Sequence, residues 1–223
     1  MPGTVRHGSL RTEVYQQLRE RILQGYYTHG TTLTELRVSH ELGVSRTPIR
    51  EALCQLELDG LVMTTPNKSV VVQGFSDQDI LDLYEVRSRM ETLAAARAAV
   101  QMTEEQRRDL QAAYDEEVRQ TKSQDGEIIN LQNLDSTFHD LIFRGSGSKI
   151  LRNILMPINL YTQQARLVSL STSGRSQKVL QEHELILQAI LQRDSEKAHE
   201  QMRIHIAMAA ASYQAISRIR RST

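Results

Sequence analysis

The sequence predicts a mostly α-helical protein in two parts, a small three-helix head carrying a β-hairpin and a larger bundle of six helices. Three observations carry that expectation. Between Leu42 and Val62 a turn at Gly43 is followed by a helix with a one-sided apolar stripe and a second stop at Asp59-Gly60. Directly after it the pattern becomes strand-like, with Leu61 to Thr64 and Val70 to Val72 flanking the turn residues Pro66-Asn67-Lys68-Ser69. From Ser76 onward the pattern is helical throughout, with Gly and Ser breaks and no convincing strand.

Taken in order, Leu10, Val14, Leu18 and Ile22 recur at helical spacing and mark an amphipathic first helix from Ser9 to Gln24. Gly25, Gly30 and the run Thr28 to Thr34 end it, and a short helix from Glu35 to Leu42 precedes the turn. In the next helix Ile49, Ala52, Leu53 and Leu56 fall at i, i+3, i+4 and i+7 and should pack inward. Ser45 stands where a cap is expected, and Pro48 sits in the first turn, where a missing N–H costs little. Arg46, Thr47 and Arg50 then face outward at the positive end of the helix dipole, a combination that suits a phosphate backbone or a guanine edge. The last two helices form a helix-turn-helix, and the hairpin is a wing that can bring Lys68 near a DNA backbone or minor groove.

Gln73-Gly74-Phe75 marks the expected boundary, giving an N-terminal winged helix-turn-helix over 1–75 and an all-α bundle over 76–223. The six helices of the bundle are expected at about 77–101, 104–123, 126–144, 148–170, 175–192 and 195–219. Ser76-Asp77-Gln78-Asp79 and Thr103-Glu104-Glu105-Gln106 resemble capping boxes, and Pro157 should kink or interrupt the fourth helix.

Composition narrows the function. Trp is absent, and aliphatic residues must fill the interior. The formal net charge is zero over 223 residues, and the first 75 carry eight Lys/Arg against seven Asp/Glu, so nucleic-acid binding must rest on local placement. The single cysteine, Cys54, excludes an internal disulfide and fits a reducing compartment. No apolar run approaches bilayer length and no signal-peptide core opens the chain, so a soluble cytoplasmic protein with no membrane association is expected.

A second constellation lies in the bundle. Asp135 and His139 are four apart on one helix and project from one face, while His183 shares a stripe with Ile186 and Ile190, and His205 with Met202, Met208 and Ala209. One inward histidine is ordinarily a hydrogen-bonded core residue. Three of them with an aspartate, on three helices, also make a ligand set for a divalent cation: Zn²⁺, or Mn²⁺, Fe²⁺ or Ni²⁺. Arg87, close to an inward stripe, can either clamp an anionic ligand beside such a metal or pair with Glu91. No HExxH arrangement occurs, and Glu182, beside His183, projects about 100° away from it, so no general base is apparent and an enzyme is not expected.

The segment Ser45-Arg46-Thr47-Pro48-Ile49-Arg50-Glu51-Ala52-Leu53 resembles the winged helix-turn-helix signature of GntR-family bacterial transcription regulators. The carboxyl-terminal part resembles the all-helical (FCD) effector domain of the FadR subfamily, through Val86-Arg87 with Glu91, Asp135 with Phe138-His139, Glu182-His183, and Met202 with His205. The resemblance implies a homodimeric, ligand-responsive regulator, most simply a repressor, bound to a double-stranded DNA operator. It implies a divalent metal on Asp135, His139, His183 and His205, and a small organic acid reaching that metal and Arg87. By the same resemblance Arg46 and Arg50 read bases or phosphates, Ser45 and Thr47 bind phosphates, and the wing enters the minor groove. Two departures stand out: family members often carry an arginine directly after the glutamate of the short helix, where this chain has Leu36 and then Arg37, and the wing tip carries Ser69 in place of glycine. A metal-responsive regulator without an organic effector is the alternative, and a metal-dependent hydrolase a more distant one.

Overall fold

The computed structural model describes residues 10–66, 69–122 and 128–221. The chain divides into two compact units, Met1–Ser76 and Asp77–Thr223.

In the first unit α1 (Leu10–Leu23) packs on α3 (Arg46–Leu58), with α2 (Glu35–Leu42) against α3. The apolar stripes meet as their spacing requires: Val14, Leu18 and Ile22 of α1, Val38 of α2, and Ile49, Ala52, Leu53 and Leu56 of α3 are all buried. Each such Val, Leu or Ile side chain contributes about 1.5–3 kcal/mol on burial. Between α2 and α3 the chain reverses at Gly43, whose φ of 66° is left-handed and whose N–H closes onto the Ser39 carbonyl. Thr34 caps α2 by accepting from the Arg37 N–H. Ser45 occupies the capping position of α3, but its hydroxyl makes no cap bond. Pro48 explains this in part: it is the third helical residue, where the N–H that a cap most often binds is missing.

The wing has one strand more than expected. Besides β2 (Val62–Thr64) and β3 (Val70–Val72), Thr32–Leu33 forms β1, and the antiparallel order is β1-β3-β2. Leu33 pairs with Val70 and is fully buried, which ties the Thr-rich linker to the core. A two-residue strand leaves no alternation to read in a sequence, so this one was not legible there.

The second unit holds seven described helices: α4 (Asp77–Gln101), α5 (Glu104–Lys122), α6 (Ile128–Gly145), α7 (Lys149–Tyr161), α8 (Gln163–Leu170), α9 (Arg175–Leu191) and α10 (Ser195–Arg221). One helix was expected over 148–170, interrupted at Pro157. The structure runs α7 through Pro157 and breaks it at Thr162, where the hydroxyl donates to the Ile158 and Asn159 carbonyls and turns the backbone. The expected capping box at α5 is present in both directions, Gln106 N–H to Thr103 Oγ1 at 3.2 Å and Thr103 N–H to Gln106 Oε1 at 3.0 Å. Helix α4 packs on α10, α6, α9 and α7. No described helix is long and apolar enough to cross a membrane.

Candidate functional site

On the first unit, Ser45, Arg46, Thr47 and Arg50 are all exposed at the start of α3, on the side away from the buried stripe. Arg50 is held in a fork by Glu35, Nε to Oε1 at 2.7 Å and Nη2 to Oε2 at 2.9 Å. That pair draws the Glu35 carboxyl below its usual range, the hydrogen bond from Arg50 being the main cause. Arg37, also exposed, donates through Nε to Glu41 at 2.7 Å. Cys54 is exposed on α3. Lys68 lies outside the described residues.

On the second unit the structure brings together the four residues that spacing alone could only align by helix. One ligand atom from each of Asp135, His139, His183 and His205 lies within 4.8 Å of the others, and all four residues are buried. The Nε2 atoms of His139 and His205 are 3.2 Å apart, that of His183 is 3.6 Å from Asp135 Oδ1, and that of His139 is 4.0 Å from Asp135 Oδ2. Phe138 stacks on the His183 ring at 4.2 Å between centroids and walls that side with carbon. Met208, expected on the inward stripe with His205, is instead 44% exposed: at 100° per residue it lies about 60° round the helix from His205 on the side opposite Met202 and Ala209, which are buried.

Behind each histidine stands a carboxylate. His183 Nδ1 is 2.8 Å from Glu117 Oε2, His205 Nδ1 is 2.7 Å from Glu182 Oε2, and His139 Nδ1 makes a bent 2.6 Å contact with Glu91 Oε2. With its N–H at Nδ1 each ring faces its acid, and the Nε2 lone pairs are left unprotonated and converging. Two such lone pairs 3.2 Å apart repel unless a cation lies between them, and His183 Nε2 has no hydrogen-bond partner among the described residues. The donor set therefore fits a divalent cation of the imidazole-accepting group.

The electrostatics favour the neutral ring for two of the three histidines. Burial pushes His139 below its usual value, and burial with the neighbouring histidines pushes His205 down to about 3. Burial opposes the charged form of His183 too, but Glu117 overrides it and raises that ring. Asp135 is held well below the carboxylate range: burial acts against this, and Arg166 with the three histidines outweighs it.

Several of these groups were missed in the sequence. No second acid was expected to act there as a general base; the structure instead sets three acids, Glu91, Glu117 and Glu182, behind the histidines as braces. Glu182 does turn away from His183, and in doing so meets His205 on the neighbouring helix. Glu91 had a signal, standing four residues after Arg87 on the buried face of α4. Arg87 donates through Nε to Glu91 Oε1 at 2.6 Å, the pairing set beside the clamp reading above. Arg166 of α8 is ion-paired with Asp135, and Arg175 of α9 binds Glu182 through two nitrogens at 2.6 and 2.9 Å. Nothing in the spacing of either arginine announced this. Each of the three carboxylates Glu91, Asp135 and Glu182 thus faces an arginine on one side and a histidine on the other.

Known proteins share this architecture. Residues 10–72 match the bacterial regulatory proteins of the gntR family, and residues 82–208 match the FCD domain. The HTH-type transcriptional regulator YdhC of Bacillus subtilis is 27% identical over 195 residues, 86% of either chain. The gluconate operon transcriptional repressor of the same organism is 28% identical over 191 residues, covering 83% of this chain and 77% of that one. Among solved structures, Escherichia coli McbR/YncC superposes with a TM-score of 0.72 at 21% identity, covering 93% of this chain and all of the other. With both of its parts matched, one to a DNA-binding family and the other to the FCD fold, this chain belongs to the GntR family of bacterial transcription regulators, in its FCD-domain branch.

Proposed function

We propose that this regulator is a homodimeric repressor whose grip on a palindromic operator is set by a small organic acid bound at a divalent metal, Zn²⁺ in the first instance, in the FCD domain. The observation that carries it is the braced cluster: three histidines whose Nδ1 atoms face carboxylates and whose Nε2 atoms converge with Asp135 within 4.8 Å. Asp135, His139, His183 and His205 hold the metal. A divalent cation held there supplies a Lewis-acid anchor for a ligand carboxylate. Glu91, Glu117 and Glu182 orient the rings, and Arg87, tied to Glu91, presents its guanidinium to the bound anion. Arg46 and Arg50 read the operator, Ser45, Thr47 and Arg37 hold its phosphates, and Lys68 of the wing follows the backbone. A relative named as the repressor of a gluconate operon supports the sign of regulation.

The ligand acts only by binding the DNA-competent and DNA-incompetent arrangements unequally. The test is a shift assay on the metal-loaded protein with its own promoter, titrated with carboxylates. Release at a saturable concentration, lost after Asp135→Ala, is expected; retention of operator binding under every acid, with binding governed by metal alone, would transfer the role to metal sensing. The Arg87–Glu91 pair, both side chains 1% exposed, is the observation that favours this second reading.

A further inference from the structure

The histidine cluster is sealed from solvent. Asp135, His139, His183 and His205 are between 0 and 4% exposed, so an ion reaches them only when a side chain moves aside. Between α4 and α10 runs a groove of about 340 Å³, lined by Gln78, Tyr84 and Glu85 on one helix and by Ile206, Ala207 and Gln214 on the other. Tyr84 and Ile206 line it while only 2% and 1% exposed, which makes them its floor. Ile206 directly follows His205 in α10. Tyr84 also touches the groups around the cluster: the Arg87 guanidinium lies 5.2 Å from its ring centroid, and Arg87 holds Glu91, which backs His139. Asp135 and Arg166 are near enough for their charges to act on its hydroxyl.

In this position the Tyr84 hydroxyl is buried with no hydrogen-bond partner among the described residues, an arrangement that costs free energy. The ring, by contrast, is well placed, under Arg87 and tilted against the Tyr213 ring at 6.2 Å between centroids. Turned into the groove, the same side chain gives up that packing and gains partners for its hydroxyl: the Glu85 carboxylate, the Gln78 and Gln214 amides, and water. Packing thus favours the inward position and hydrogen bonding the outward one. For a ring whose only task is to fill space, phenylalanine occupies the same place without the orphaned oxygen.

We propose that Tyr84 is a door between the α4–α10 groove and the buried cluster, opening by rotation into the groove and setting the rate, not the affinity, of metal exchange. The inference rests on the reading of Asp135 and the three histidines as a metal site. Stopped-flow transfer of zinc from the loaded full chain to excess chromophoric chelator tests it, read as the limiting rate at high chelator, with zinc Kd measured separately by competition. Tyr84→Ala removes the door and should speed release roughly tenfold at unchanged Kd. Tyr84→Phe keeps the ring and removes the oxygen that favours opening, so release should slow roughly tenfold. Ala207→Trp, at an exposed position, fills the space into which the ring turns and should slow release with the wild-type Tm. Release unchanged in all three variants, release faster in both Tyr84→Ala and Tyr84→Phe, or a Kd that rises in step with the rate each overturns the door and leaves the metal site standing. A full chain that binds no zinc overturns both.

Discussion

Arg50 and Glu91 show how a residue's partner decides what it does. Arg50 spends two of its nitrogens on Glu35, so the fork that faces outward is already oriented before DNA arrives. Arg50→Ala should weaken operator binding by about 1–3 kcal/mol, roughly a 5- to 150-fold rise in Kd in a shift assay at fixed salt. Glu91 stands between Arg87 and His139 and ionises readily in spite of burial, because Arg87 and His139 both favour its charge. Glu91→Gln keeps the shape, removes the charge behind His139, and should lower zinc affinity about 10- to 100-fold in chelator competition. An unchanged affinity would mean that His139 is not held by Glu91 in the metal-loaded protein.

Among the elements, the α2–α3 turn is the one whose conformation admits the fewest substitutes. Gly43 has a φ of 66°, where a Cβ is strained although nothing crowds it. Gly43→Ala should therefore cost about 1 kcal/mol of stability in the first unit, read as a lowered urea midpoint, with operator affinity falling as α3 loses its fixed entry. The helices of the second unit were legible where their apolar period or caps were strong, as at Thr103 to Gln106. They were less so at α7 and α8, where Pro157 is the louder signal and the Thr162 hydroxyl decides the break. The β1 strand was invisible for the opposite reason: its two residues are strand only because β3 lies beside them.

At the scale of the whole molecule, neutrality is the governing fact. A chain with no net charge has little general attraction for DNA, so its few outward arginines must act at defined places. On the proposed reading, the buried cluster also ties folding to metal. Stripped of metal, the protein should lose stability as pH falls. His205 titrates at about 3 when folded against its usual 6.5, and His139 is likewise depressed, so the unfolded chain binds more protons across that window. His183, raised by Glu117, works in the other direction and offsets part of this. Thermal melts of chelator-treated protein between about pH 7 and 4 should show a falling Tm. Zinc at 100 times its Kd should add about 2.7 kcal/mol at neutral pH. A Tm that rises on acidification would mean that the histidines are already charged in the folded chain.

What the sequence by itself determined is whatever is local: the α3 stripe and its outward arginines, the switch from helical to strand pattern at the wing, and the four-residue spacing that puts Asp135 and His139 on one face. Periodicity and capping act over a turn or two of chain, and there the residues carry their own instructions. The tertiary structure alone decided which acids stand behind which histidines, and that Arg166 and Arg175 join the same buried cluster as Arg87. Those partners come from α4, α5, α8 and α9, and their meeting depends on how helices pack across the bundle, a property that no spacing along one of them contains.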